Sequence, residues 1–260
     1  MTSVNSISGG KTSAYMAIHY PTDVNVFALV KTTDVNAISQ DKGLIKQVQA
    51  RIPDFIASRE LDSTLIEVLN LEQKIGNKIE WVSASETFDD LINRKKMLPN
   101  SRMRFCTVEL KLKPIFEFCY QTYGLTIMNI GFRFDEKKRA NRMLENCDRA
   151  YYFTFKNKKY EWRIPNFPLI ENKVTNKQII EYWNANNNNF PTVSNCDYCF
   201  FHQVTEQRQQ LANYPDRVIW WADQEQKINH TFAKTHSFSD IIDPEKSIKE
   251  LPLFSCNCTD

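Results

Sequence analysis

Glycine is scarce in this chain, and two of its six glycines stand side by side near the start. No apolar run approaches the roughly 20 residues of a membrane-spanning helix, so we expect no membrane partner. Polar residues dominate the first thirteen positions, and a secretory signal is therefore not expected. The formal net charge is only +2, which gives no overall signal for binding a polyanion. These absences favour a cytoplasmic protein.

Alternating strands and helices predict an α/β fold. Strands are predicted at Val4–Ile7, Val24–Val30, Ile79–Ser83 and Leu125–Phe132, with helices over 41–59 and 108–123. Such alternation is typical of right-handed βαβ units, so the sheet is expected to be mostly parallel. The alternation of strands and helices ends near residue 150. We therefore predict a core over 1–150 and an extension over 151–260 that packs on it and opens with an aromatic hairpin.

The stretch from residue 8 to residue 13 predicts a phosphate-binding turn between the first strand and the first helix. Its two glycines let the backbone approach a ligand closely, and the helix N-terminus presents N–H groups to an anion. A simple Gly-Gly turn with a serine helix cap is the alternative. The candidate phosphate-binding residues are Ser8, Gly9, Gly10, Lys11, Thr12 and Ser13.

Charged residues near other strand ends complete the candidate ligand site. Asp34 follows the second strand, where a carboxylate can bind a ribose hydroxyl or Mg²⁺, and a solvated loop aspartate is the alternative. Arg133 follows a strand and Gly131, and arginine forks match phosphate oxygens. Other basic candidates are Arg104, Lys111 and Arg139. Because ligands of parallel sheets bind at the carboxyl ends of the strands, these groups are expected to converge there.

Seven cysteines in a cytoplasmic chain indicate free thiols, a metal or redox chemistry rather than structural disulfides. Cys196 and Cys199 form a C-x-x-C pair, which Cys106 and a tail cysteine, Cys256 or Cys258, can complete. Thiolates at this spacing bind zinc or an iron–sulfur cluster. Cys119 and Cys147 are expected to be buried small hydrophobes. His202 is a candidate zinc ligand, although a packed histidine is the simpler interpretation.

Three ordered motifs resemble the phosphoadenosine phosphosulfate (PAPS) reductase family. The glycine turn resembles the pyrophosphate-binding loop of the adenine nucleotide α-hydrolase-like superfamily. Residues 104–114 are similar to the family pattern R-[FY]-C-x(4)-K-x-x-P, and residues 131–139 to G-x-R-x-[DE]-[ES]-x-x-R. The resemblance implies a parallel five-stranded sheet flanked by helices, with a C-terminal extension that carries cysteines. It also implies binding of an adenine nucleotide, either ATP or a PAPS-type molecule.

Within this family, adenylylsulfate reductases hold a [4Fe–4S] cluster on a Cys-Cys pair and a later C-x-x-C. Here Cys106 matches one member of the pair, but Thr107 occupies the other position. The resemblance therefore implies a cluster on Cys106, Cys196 and Cys199, with Cys258 or Cys256 as the fourth ligand or with an open iron. A structural zinc is the alternative.

Two departures from the family bear on the reaction. The catalytic Glu-Cys-Gly-Leu-His of the reductases is missing, and Thr12 stands where pyrophosphatase members usually have aspartate. The first hypothesis is therefore cleavage of ATP between the α- and β-phosphates to adenylate an acceptor for sulfur transfer, with Lys11 and Arg133 stabilising the developing charge. The second is reduction of a sulfonucleotide. The acceptor, which a nucleic acid could provide, and the oligomeric state, for which a homodimer is one option, stay open.

The third hypothesis is a non-enzymatic nucleic-acid or protein-binding module with a structural zinc. Trp220, Trp221, the aromatic hairpin near Lys158 and the basic stretch over 94–104 favour it. Aromatic rings beside cations can stack on bases, although such rings are more often part of a core.

Overall fold

The computed structural model describes residues 1–186, 190 and 196–248. The strands in this part are β1 Ser3–Ile7, β2 Val24–Leu29, β3 Lys31–Thr32, β4 Ala57–Ser58, β5 Ile79–Ser83, β6 Thr126–Asn129, β7 Tyr152–Phe155, β8 Lys158–Glu161 and β9 Arg163–Asn166. The α-helices are α1 Lys11–His19, α2 Lys42–Gln49, α3 Asp62–Ile75, α4 Phe88–Lys95, α5 Phe105–Thr107, α6 Lys113–Tyr123, α7 Lys137–Glu145, α8 Cys147–Ala150, α9 Pro168–Glu171, α10 Asn176–Ala185, α11 Val204–Asn213, α12 Arg217–Ile228 and α13 Phe238–Ile242. Among these described helices, none has both the length and the apolar character that crossing a bilayer requires.

The central sheet has five strands in the order β5-β2-β1-β6-β9. All four neighbouring pairs are parallel. β2 is buried on both faces, with Val26 in the core cluster on one side of the sheet and Phe27 in the cluster on the other. Such double burial accounts for its nearly continuous apolar sequence. The predicted five-stranded parallel sheet with flanking helices is confirmed.

The fifth strand comes from the segment that the sequence assigned to the extension. The aromatic hairpin is present, with β7 and β8 paired antiparallel. Immediately after it, β9 leaves the hairpin and pairs parallel with β6. Buried Arg163 anchors this exit, because its guanidinium donates to the carbonyl oxygens of Ala150 and Arg149 at the end of α8. The central sheet therefore continues past residue 150.

A helical run from 105 to 123 contains a π-helical turn at Val108–Leu112, between α5 and α6. It begins three residues earlier than the predicted start at 108. Pro114 has no backbone N–H to donate and lies in the first turn of α6. The wider turn before it gives the proline ring room against the preceding carbonyl groups.

A ladder of four asparagines, three of them buried, crosses four strands of the sheet. Asn166 donates to Asn129 at 2.7 Å, Asn129 donates to Asn5 at 2.9 Å, and Asn5 donates to Asn25 at 3.2 Å. The four residues are register partners on adjacent strands. Because each amide satisfies the next, the ladder favours one register among strands that otherwise carry interchangeable apolar side chains.

Replacing Asn5 with leucine is expected to lower the free energy of unfolding by about 2–5 kcal/mol, since it leaves a donor of Asn129 and an acceptor of Asn25 buried without their partner. Urea unfolding followed by circular dichroism measures this change. The control is Asn70→Leu on the exposed face of α3, which should change stability by no more than about 0.5 kcal/mol. Equal midpoints for the two variants would contradict a stabilising ladder.

Candidate functional site

The chain reverses its direction across the sheet at β1. From β1 it continues to β2 and β5 on one side, and β6 then pairs with the other side of β1. The carboxyl ends of β1 and β6 therefore border a crevice at the point where the strand order switches. In parallel α/β sheets this crevice is the usual ligand site.

The glycine turn follows β1 and leads into α1, as predicted. Gly9 has a φ of 77°, a conformation that favours glycine. A Cβ at this position would lie 2.5 Å from Cγ2 of Thr64, so α3 packs directly against the turn. Gly10 is the N-cap of α1 and makes no side-chain cap hydrogen bond. The first N–H groups of a helix have no partner within it, so α1 presents them at the crevice.

The hydroxyl groups of the turn hold its shape. Ser13 Oγ accepts from the Ser8 backbone N–H at 3.1 Å and donates to the Gly10 carbonyl at 3.0 Å. Ser13 is buried, so its hydroxyl acts inside the turn rather than on a ligand. Lys11 is exposed, and its backbone carbonyl accepts from Trp183 Nε1 of α10 at 3.1 Å. The exposed ammonium of Lys11 can therefore reach a bound anion.

The segment after β6 meets the glycine turn. Arg133 Nη1 donates to Thr12 Oγ1 at 3.1 Å, across 121 positions of sequence. A Cβ on Gly131 would lie 3.5 Å from Cγ2 of Thr12, so this segment passes close beside the turn. Arg139 lies on α7 and reaches back to the same segment, where it pairs with Glu136 at 3.2 Å. Two motifs predicted from the sequence therefore form one cationic edge of the crevice.

Asp34 occupies a different environment from the one predicted. It is buried, and its Oδ2 lies 2.7 Å from Arg59 Nη2. Its Oδ1 accepts from the backbone N–H of Asn36 and caps the short turn that follows. Both oxygens are engaged inside the protein, which argues against a contact with a ribose or a magnesium ion.

Cys106, Cys196 and Cys199 line one cavity, although 90 residues separate the first from the second. Lys111 and Trp221 also line the cavity, which has a water-accessible volume of only about 20 Å³. Val30, directly after β2, contributes to the wall. The cavity therefore lies at the carboxyl edge of the sheet, on the strand next to β1.

The helical run around the π turn brings basic groups to this cavity. Lys111 is buried and its Nζ lies 3.2 Å from Glu60 Oε1. Glu60 Oε2 accepts from the Val30 backbone N–H at 3.0 Å, which ties the pair to the end of β2. The Arg104 guanidinium lies over the Phe201 ring at 5.1 Å. Lys111 therefore belongs to the cysteine cavity.

A buried ionic network fastens the C-x-x-C loop to the core. Asp197, between the two cysteines, is fully buried and pairs with Arg217 Nη1 at 3.2 Å and with Arg59 Nε at 3.5 Å. The Asp197 backbone N–H also donates to the Arg59 carbonyl, and Cys196 bridges Glu60 through backbone pairing. Arg59 in turn pairs with Asp34, so the network extends to the end of β2.

Two buried glutamines of α11 hold the other side of the same loop. Gln207 donates to the Cys199 carbonyl at 3.2 Å. Gln210 Oε1 accepts from the Tyr198 backbone N–H at 2.7 Å, so its amide nitrogen donates to His202 Nδ1 at 3.0 Å. The His202 ring proton is then on Nε2, and burial lowers the pKa of His202 to about 3. With Nδ1 accepting and Nε2 protonated, the ring has no lone pair for zinc.

The other cysteines have different environments. Cys119 is fully buried, as predicted, and burial raises the pKa of its thiol to about 12. Cys147 is exposed, so the prediction of burial was wrong there, because its short helix α8 lies at the surface. Cys256 and Cys258 lie outside the described residues.

The three cysteines line one cavity but do not form a group that could hold a single metal ion. In the described part of the chain, no group of three or more His, Cys, Asp or Glu side chains could hold a metal ion. Zn–S bonds of about 2.3 Å would draw the thiolates tightly together. A cluster spreads its ligands over several irons, so its thiolates stand farther apart around a cavity.

The aromatic residues behind the third hypothesis are mostly in the core. Trp221 is fully buried, and Trp220 is buried with its Nε1 donating to Asp89 Oδ1 at 2.7 Å. In the hairpin, Phe153 stacks on Phe116 with ring centroids 4.6 Å apart. These rings are therefore not presented for stacking on bases.

Sequence reasoning missed the buried partners of the predicted site residues. Glu60 and Arg59 carry no motif signal that separates them from solvated charges, and only their burial shows their roles. Glu136 lies inside the motif over 131–139, but its pairing with both arginines could not be read from the pattern. Asp197 could have been noticed, because it lies inside the C-x-x-C. Comparison with models of protein families, with curated proteins and with solved structures gave no match.

Proposed function

We propose that this chain binds an adenine nucleotide, ATP in the first instance, and transfers its adenylyl group to an acceptor in preparation for sulfur transfer. The observation that carries the proposal is the hydrogen bond between Arg133 and Thr12. It joins the segment after β6 to the glycine turn after β1, at the switch point of the sheet. The proposal also rests on the resemblance of both segments to the PAPS reductase family.

In this proposal, positively charged and N–H groups of the site face the negative charge that develops on the phosphate oxygens during the reaction. The acceptor oxygen attacks the α-phosphorus, the bond from that phosphorus to the bridging oxygen breaks, and pyrophosphate leaves with the electron pair. The N–H groups at the start of α1 and the Lys11 ammonium lie where they can hold the departing pyrophosphate. The Arg133 guanidinium, fixed beside Thr12, stabilises the charge that builds on the phosphate oxygens.

Arg133→Ala is expected to weaken ATP binding by about tenfold to a hundredfold, because charge-assisted hydrogen bonds to phosphate contribute about 1.5–3 kcal/mol. Isothermal titration calorimetry measures the dissociation constant. Arg142→Ala is the matched control, since Arg142 is exposed on α7 and bonds only to the Lys138 carbonyl among its described contacts. If the two variants bind ATP alike, Arg133 has no phosphate role.

Product analysis separates this reaction from reduction of a sulfonucleotide. Release of AMP and pyrophosphate from ATP supports adenylation, whereas release of sulfite from PAPS or adenylylsulfate supports the reductase alternative. If none of these substrates yields either set of products, both enzymatic proposals are overturned.

We further propose that Cys106, Cys196 and Cys199 hold a [4Fe–4S] cluster. Their common cavity supports this, and so does the fastening of the C-x-x-C loop through Asp197, Gln207 and Gln210. When bound, such a cluster would supply an iron that carries sulfur or accepts electrons. Lys111 lines the same cavity, with its Nζ paired to Glu60 Oε1 at 3.2 Å.

Cys199→Ala is expected to lose most of its iron and sulfide, because it removes one of only three thiolates that line the cavity in the described structure. Anaerobically purified wild-type protein should carry about four of each per chain, and absorption spectra with iron and sulfide assays measure both. Cys147→Ala is the control, since Cys147 is exposed and does not line the cavity. An intact cluster in Cys199→Ala would refute the ligand assignment, and zinc without iron would favour a structural metal.

A further inference from the structure

One buried carboxylate holds both arginines at the cationic edge of the crevice. Glu136 Oε2 lies 3.1 Å from Arg133 Nη2 and accepts from the Arg133 backbone N–H at 3.2 Å. Glu136 Oε1 lies 3.2 Å from Arg139 Nη1. The Glu136 side chain is only 8% exposed. Water therefore competes little for these bonds, and Glu136 restrains the two guanidinium groups together.

Other contacts restrict the same arginines from outside. Arg133 also donates to Thr12, and the Arg139 guanidinium lies over the Phe132 ring at 4.8 Å. The Phe134 backbone N–H, in the turn between the arginines, donates to the Val174 carbonyl at 2.8 Å. Each arginine is thus restrained through its contact with Glu136.

The neighbouring carboxylate of Asp135 has a different character. Its side chain is 46% exposed and its Oδ2 lies 3.6 Å from Arg133 Nε. Because the carboxylate is exposed and the distance is long, this pair contributes little to stability. A phosphate oxygen that approaches Arg133 would meet this carboxylate as a like charge. Oδ2 can leave Arg133 while Oδ1 keeps its hydrogen bond from the Asn176 backbone N–H at 3.2 Å.

We propose that Glu136 is the positioning residue of the nucleotide site, whereas Asp135 is a counter-charge that the phosphate chain displaces. This inference rests on the proposed nucleotide function. Glu136 acts before the ligand arrives, by ordering two long cationic side chains that would otherwise lose rotamer freedom on binding. The pair of arginines with one buried carboxylate keeps a net positive charge, which suits a ligand carrying several negative charges.

The test compares the dissociation constants of ATP, pyrophosphate and adenosine for four proteins at low ionic strength. Glu136→Ala should weaken ATP and pyrophosphate binding by about tenfold, because two arginines must then be ordered by the ligand. Glu136→Gln retains one acceptor oxygen and should fall between that variant and the wild type. Asp135→Asn should bind ATP about twofold to fivefold more tightly, because a like charge has been removed. Adenosine, which lacks phosphate, should bind all four proteins equally.

Each outcome of this test supports or overturns the proposal. Equal ATP affinity in Glu136→Ala and the wild type overturns the positioning role and leaves the nucleotide function intact. Loss of adenosine affinity in Glu136→Ala, or failure of both Glu136 variants to fold by circular dichroism, shows a merely structural role and overturns the inference. Weaker binding by Asp135→Asn overturns the displacement. If the wild type binds neither ATP nor pyrophosphate, the proposed function itself fails, and the inference fails with it.

Discussion

Replacing Asp197 with alanine is expected to lower the free energy of unfolding by about 3–5 kcal/mol, because it removes the buried carboxylate that two buried arginines share. Asp197 is fully buried between Arg59 and Arg217, and its Oδ1 also accepts from Trp221 Nε1 at 3.2 Å. In this variant Arg59 keeps Asp34 at 2.7 Å, whereas Arg217 keeps only the more distant Asp62, whose Oδ1 lies 3.6 Å from Nη2. Since small proteins have about 5–15 kcal/mol of stability in total, the loss is a large share.

Urea unfolding measures this loss, and two further variants show its origin. Asp197→Asn keeps the shape and one acceptor, so a smaller loss than in Asp197→Ala is expected. Asp148→Ala removes an exposed carboxylate paired with Lys159, and should change stability by about 1 kcal/mol or less. A loss in Asp197→Ala as small as that in Asp148→Ala would show that the network does not stabilise the fold.

The second large effect is expected at Gly9. Gly9→Ala has two costs. It places an alanine at a φ of 77°, and its Cβ would lie 2.5 Å from Cγ2 of Thr64. The conformational cost is about 1–2 kcal/mol, and overpacking against α3 adds about 1–3 kcal/mol. Because the turn must shift to relieve the contact, ATP affinity should fall together with stability. Thermal unfolding and calorimetric titration with ATP measure the two changes.

Gly76→Ala is the matched control for Gly9→Ala. Gly76 also has a positive φ, of 61°, but a Cβ there would meet nothing within 4 Å. It therefore carries the conformational cost without the steric contact. Adding Thr64→Ser removes the contacting methyl group and should restore part of the stability of Gly9→Ala. If Gly9→Ala costs no more than Gly76→Ala, close packing of α3 on the turn is not important.

The turn and the strand before it were predictable because their signals are local. A short β-tolerant run, two glycines and a helix-forming stretch specify the conformation of residues 4–19 without reference to the rest of the chain. The same holds for Val24–Val30, whose apolar run reflects burial on both faces of β2. The hairpin was predicted as well, but its continuation was not. Whether Arg163 and Ile164 stay in the hairpin or pair with β6 depends on a partner 37 positions away.

In the candidate site, too, some residues could be predicted from the sequence and others could not. Arg133 could be predicted because it follows a strand and a glycine, and its side chain does reach the glycine turn. Asp34 has an equally suggestive position, but a buried arginine 25 residues later engages it. No local pattern distinguishes the two cases, because each depends on which charge the fold brings within hydrogen-bonding distance.

By itself, the sequence determined four strands of the central sheet, that the sheet is parallel, and which residue types could bind an anion or a metal. These properties follow from local backbone preference and from the periodicity of apolar residues. The helix predicted over 41–59 was too long, since α2 ends at Gln49 and β4 lies at Ala57–Ser58. The tertiary structure alone decided that Cys106 joins Cys196 and Cys199 around one cavity. It also decided that Asp197, Glu60 and Glu136 are buried partners of cations. The physical reason is that a charge acquires its role from its burial and its nearest opposite charge, and both are set by contacts between residues far apart in the chain.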